Sequence, residues 1–195
     1  MTGDVATYAS SAEQDLNFTG AADRCGRLDN ETGYMNEKDF VNQTVAAWRR
    51  HNDIHLLLIA SIPEEGLEVV PLKSRGRTLA AQFSHMNAVR LGWIHYHTTG
   101  KRPTRSPKGG PYSRAGLTRE CRESGDAVAA FLEQALTGAA KVRMFGGNPV
   151  RWCLYLVSHE SHHRGQIALA LKQADMRLPE KTAMDGLWGK WISGK

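Results

Sequence analysis

The chain has 195 residues, 41% of them hydrophobic and 23% charged, with a formal net charge of +5. This length suits one domain with a sizeable core rather than two, and no stretch approaches the roughly 20 apolar residues that a membrane span requires. Cys25, Cys121 and Cys153 stand far apart, odd in number and without a CxxC pair, which argues against a disulfide scaffold or a cysteine-based zinc site and fits a reducing cytoplasm.

Residues 1–35 are polar and rich in Gly, Ala, Ser and Thr, and carry six acids against two arginines. They read as a poorly ordered extension, with neither the basic start nor the apolar run of a signal peptide. Met35 directly precedes the first helical pattern, so a biological start at Met35 is one expectation. The domain proper is expected over residues 36–195.

A first helix is predicted from about Asn36 to Ile62. Asn36 is its N-cap, Glu37 and Asp39 favour the positive helix start, and Phe40, Val41, Val45, Trp48, His55, Leu56 and Ile59 recur at helical spacing. Pro63 stops it, and Leu67–Val70 in the connector is expected to pack as an extended segment. The second helix is predicted over roughly Thr78 to Tyr96, with Leu79, Phe83, Met86, Val89 and Trp93 as its core stripe. Residues 99–116 combine prolines, glycines and the bases Lys101, Arg102, Arg105, Lys108 and Arg114, and are expected to form a long loop. A third helix is predicted from about Leu117 to Leu136, with Val128, Phe131, Leu132 and Leu136 inward. Asn148 as N-cap and Pro149 in the first turn open a fourth, which runs until Pro179 ends the pattern. Leu187, Trp188 and Trp191 suggest a short final helix over one end. The expected fold is all-α: an antiparallel four-helix bundle with a short C-terminal helix.

Three of the eight histidines, His159, His162 and His163, fall within five residues. Helix positions four apart share a face, about 5–6 Å between Cβ atoms, so His159 and His163 can share a metal while His162 points aside. The pair lies on the stripe Trp152, Leu156, His159, His163, Ile167 and Ala170, which aims both imidazoles inward. Buried imidazoles without partners are costly, and coordination of a cation removes that cost. A third ligand should come from another helix. His85 in QFSHMNAVRLGW leads, flanked by core residues, although a lone histidine there is more often a hydrogen-bonded core residue. His51 and His55 are also four apart; His51 belongs to the polar run RRHND, which leaves His55 as the rival. His95 and His97 sit at a helix end, where protonated imidazole suits the dipole.

The string HESHHRGQI after an apolar half-helix resembles the signature of the DinB/YfiT-like superfamily. Those proteins are four-helix bundles with a histidine from the second helix and an H-x-x-x-H pair on a late one, often followed by Arg-Gly-Gln. The matching residues are His85 in FSHM, then His159 and His163 with Arg164, Gly165 and Gln166 behind them. The IPEEGL connector and the ending Leu187–Trp188 add to a resemblance that covers about residues 36–192. It implies a metal site of His85, His159 and His163, a four-helix bundle and a homodimer.

A literal H-E-x-x-H also reads at His159 to His163, which in zinc proteases makes the glutamate a general base. Here no histidine follows His163, Leu169 stands where the extended metzincin pattern needs one, and Glu180 or Asp185 would have to supply the third ligand. Gly165 costs a helix about 1 kcal/mol relative to Ala, and close approach of a neighbouring helix is expected there. Arg164 and Gln166 either support the ligands or face solvent.

Three neutral histidines with open positions describe a catalytic rather than a structural site. The resemblance implies thiol-dependent S-transfer or isomerisation: a divalent metal, with Zn or Ni foremost and Fe, Co, Mn and Cu as alternatives, activates a low-molecular-weight thiol for attack on an electrophile. The basic loop is placed to attract an anionic thiol or substrate. The alternatives are a metal-dependent hydrolase using bound water, or a non-enzymatic stress-related binding protein. Nucleic acid is disfavoured as a partner, because the basic loop has one aromatic, Tyr112, and no recognition-helix pattern.

Overall fold

The computed structural model describes residues 35–72, 76–103 and 113–193. The expected extension, Met35 apart, and most of the basic loop, with Arg105, Lys108 and Tyr112, lie outside the described residues. No strand occurs among the described residues, and four long helices carry the fold: α1 (Glu37–Ser61), α2 (Leu79–Thr99), α3 (Arg114–Leu136) and α4 (Pro149–Gln173). None of the described helices is long and apolar enough to cross a membrane.

Each long helix begins on a side-chain cap that satisfies one of its orphan amides. Asn36 Oδ1 accepts from Asp39 N at 2.9 Å, Thr78 Oγ1 from Ala81 N at 3.1 Å, Ser113 Oγ from Gly116 N at 3.2 Å and Asn148 Oδ1 from Arg151 N at 2.9 Å. α2 runs three residues beyond its expected end and stops at Gly100, whose φ of 73° is the left-handed conformation that glycine adopts freely. Arg143 covers that end by donating from Nε to His97 O at 2.7 Å. α3 begins earlier than expected, because the Ser113 cap makes Arg114–Gly116 its first turn. Arg114 is therefore a helix residue, bonded through Nη2 to Ile62 O at 2.6 Å. The connector also differs from expectation: Glu65–Glu68 is a 3-10 turn that buries Leu67 and leaves Val70 exposed.

The core divides into two clusters whose order along each helix gives its direction. α1 and α4 pass from the cluster around Trp48, Phe131 and Trp152 to the one around Leu58, Phe83 and Ile167; α2 and α3 pass the other way. α2 ends beside Arg143, whereas α3 starts beside Ile62. Beyond α4, a π-helical stretch Thr182–Gly189 leads into α5 (Lys190–Ser193) and packs on α1. Leu187 is buried there, while Trp188 stays 60% exposed.

Candidate metal centre

A polar layer separates the two apolar clusters, and it contains two groups of chemically active side chains. In the first, His85 from α2 meets His159 and His163 from α4, their ligand atoms all within 4.8 Å of one another. Ring centroids lie 5.4 Å apart for His85 and His159, 5.1 Å for His85 and His163, and 4.8 Å for His159 and His163. His163 is buried, while His85 and His159 are half-buried, so the cluster is reachable from outside. His162 is exposed and pairs with Gln166 at 3.0 Å.

Burial lowers the pKa of all three clustered histidines. For His163, burial and the neighbouring His159 and His85 bring it down to about 4. Arg77 adds its charge against protonation of His85 and His163. The rings are therefore neutral near pH 7 and hold free nitrogen lone pairs. His163 Nδ1 stands 3.3 Å from Gln82 Oε1, where it donates as the N–H tautomer and leaves Nε2 as the lone pair. His159 Nδ1 is buried with no hydrogen-bond partner among the described residues, and its ring stacks on Tyr155 at 6.0 Å. Imidazole nitrogens on a tetrahedral zinc stand roughly 3.4 Å apart, so small ring rotations bring this set to metal-binding distance. Three neutral nitrogen donors, one with an orphaned buried nitrogen, fit a divalent ion.

The second group is His51, His55 and Glu160, also within 4.8 Å of one another and buried throughout. His55 is not a third ligand for the His159–His163 pair; it belongs here, donating from Nδ1 to His51 O at 2.9 Å. His51 is 0% exposed despite its polar sequence neighbours and donates from Nε2 to Glu160 Oε2 at 3.0 Å. Arg90 grips the same carboxylate, Nε to Oε1 at 2.7 Å and Nη2 to Oε2 at 2.6 Å. Burial alone would raise the Glu160 pKa, but the charge and hydrogen bonds of Arg90 hold it well below the usual carboxylate range. Burial brings His55 down to about 3. Glu160 is thus the glutamate of the literal H-E-x-x-H, and its carboxylate is turned away from the three clustered rings. Glu180 and Asp185 are exposed.

Two further expectations change. His97 is 2% exposed and its pKa is lowered by burial and by Arg143; packed against Trp93, Phe131 and Trp152, it stays neutral at the helix end. Gly165 is exposed, and a Cβ there would meet nothing within 4 Å, so no neighbouring helix explains it. Arg164 is half-buried, with Nη2 3.3 Å from Ser161 Oγ.

The model of the DinB family matches residues 35–191. Among curated proteins, none matches the chain.

Proposed function

The chain belongs to the DinB family, and on that premise we propose that it is a metal-dependent transferase that activates a low-molecular-weight thiol for attack on an electrophile. His85, His159 and His163 hold the ion, on a four-helix bundle spanning residues 36–195 in which α1 and α4 run against α2 and α3. The observation that carries this reading is the convergence of three neutral imidazoles, two of them half-exposed, on one point. When bound, such an ion supplies Lewis acidity and lowers the pKa of a coordinated thiol or water. Imidazole donors suit Zn or Ni foremost, and also Fe, Co, Mn and Cu.

The residues around the site prepare it in distinct ways. Gln82 accepts from His163 and fixes its tautomer and ring plane. Tyr155 lies along the face of His159 and limits its rotation. Burial keeps the three rings unprotonated, so no proton has to leave before an ion binds. The engagement of Glu160 by Arg90 and His51 occupies that carboxylate, so it is not free to serve as a general base.

A homodimer in a reducing cytoplasm accompanies this reading. Leu154 and Leu169, 61% and 55% exposed on α4, offer apolar surface for pairing, and Cys121 and Cys153 are free thiols. The test loads the full chain with zinc or nickel and follows conjugation of a panel of low-molecular-weight thiols with a chlorodinitrobenzene electrophile. Thiol-dependent turnover that chelation and His163→Ala abolish is expected. Ester hydrolysis without thiol, equally sensitive to chelation, would replace this reading with the hydrolase.

A further inference from the structure

Arg90 and Glu160 make their hydrogen bonds away from the three clustered histidines, yet they come from the same two helices. His85 and Arg90 share α2, while His159, Glu160 and His163 share α4. Both side chains of the pair are sealed from solvent, at 1% and 0% exposure. Beyond its two bonds to Glu160, Arg90 donates from Nη1 to Asn52 Oδ1 on α1 at 2.8 Å, and to Ser124 Oγ and Cys121 O on α3 at 3.1 and 3.2 Å. One guanidinium therefore ties α2 to each of the other three long helices.

We propose that the Arg90–Glu160 pair is the register lock of the metal centre, holding α2 against α4 so that His85 faces His159 and His163. This rests on the reading of those histidines as metal ligands. A slip of one residue between two helices displaces them by about 1.5 Å along the axis, more than a coordination sphere tolerates. Hydrophobic attraction is non-directional and does not by itself fix that offset. A bidentate guanidinium–carboxylate fork has one geometry. Burying it is weak evidence for stability, and register is the better-attested use of a buried polar group.

The pair competes with a second metal centre at His51, His55 and Glu160, whose ligand atoms also lie within 4.8 Å of one another. Glu160 Oε2 already accepts from Arg90 at 2.6 Å and from His51 at 3.0 Å. A dication on that oxygen, at about 2.1 Å, would stand within roughly 5 Å of the guanidinium, two buried like charges. The lock and a second ion are mutually exclusive, so stoichiometry separates them.

The experiment measures zinc stoichiometry and affinity, and the cobalt(II) absorption spectrum, on the full chain. One ion per wild-type chain is expected. Arg90→Met with Glu160→Leu replaces the pair by apolar volume. This double variant leaves Asn52, Ser124 and His51 without those partners, so its urea midpoint should fall; in the folded protein it should lose about 10–100-fold in zinc affinity, the range over which outer partners of ligands act, with an altered cobalt spectrum. Unchanged affinity and spectrum in the folded variant overturn the lock, as does a second ion per wild-type chain. A wild type that binds no ion overturns the parent reading, and the lock with it. Where the double variant does not fold, Arg90→Lys keeps the charge and removes the two-point fork; weakened zinc affinity in that variant supports the lock and unchanged affinity overturns it.

Discussion

Gly125 on α3 is replaced by alanine to probe the polar layer. On helix propensity alone the change should stabilise by about 1 kcal/mol. The surroundings reverse that sign. A Cβ at Gly125 would lie 2.6 Å from Asn52 Oδ1 and closer still to the carbon and nitrogen of that carboxamide. Asn52 cannot swing aside freely, because its Oδ1 accepts from Arg90 Nη1 at 2.8 Å and from Cys121 Sγ at 3.3 Å. Trp48 Nε1 pins the same turn by donating to Gly125 O at 2.9 Å. Overpacking costs about 1–3 kcal/mol, and weakening a hydrogen bond from a charged group about 1.5–3 kcal/mol. Set against the propensity gain, the expected net loss is about 2–5 kcal/mol. Urea denaturation of metal-free Gly125→Ala and wild type measures it. In an Asn52→Ala background, with the obstructing carboxamide gone, Gly125→Ala should lose most of its penalty or become stabilising. A Gly125→Ala protein as stable as wild type, or equally destabilised in both backgrounds, would refute the reasoning.

Other consequences follow from individual residues. His163 and His55 have folded pKa values lowered by burial to about 4 and about 3, against 6.5 for the free side chain. Their contribution to stability is thus present above pH 6.5 and is lost as pH falls toward these values; the urea midpoint of metal-free protein should drop between pH 7.5 and pH 5, and a flat profile contradicts the burial argument. Asp175 takes φ 56° just after α4, with Met176 N bonded to Leu171 O at 2.9 Å in a Schellman-type closure. Asp175→Gly removes the left-handed penalty and should stabilise by about 1 kcal/mol, read as a higher thermal midpoint. Burial pushes the Cys153 thiol up to about 11 and raises that of Cys121, so neither should be alkylated by iodoacetamide in the native protein, as peptide mapping will show.

The sequence made the chemistry of the triad more legible than the layer that supports it. His159 and His163 follow from spacing on an apolar stripe, and Asn36 and Asn148 from cap chemistry, because both signals are local. Arg90 and Glu160 stand 70 residues apart, and each alone reads as a charge on a solvated face. A signal existed: Arg90 continues the core phase of Phe83 and Met86, and Glu160 that of Leu156 and Ile167, so two opposite charges occupy core positions on different helices. His51 carries the same phase from Trp48, although its neighbours Arg49, Arg50, Asn52 and Asp53 are polar. The start of α3 was hidden by the Pro- and Gly-rich composition just before it, although Ser113 is an ordinary N-cap residue. The direction of α3 could not be read locally, since a connection long enough to cross the fold permits either sense. Gly165 has no account in the contacts around it.

The central claim is that His85, His159 and His163 together hold one ion. Elemental analysis and native mass spectrometry of the full chain, beside His85→Ala and His163→Ala, test it most directly. One divalent ion per chain in the wild type is predicted, with occupancy lost in His163→Ala and sharply lowered in His85→Ala while both variants remain folded. Metal content unchanged in either variant, or a wild type that takes up no ion from excess zinc or nickel, would contradict it.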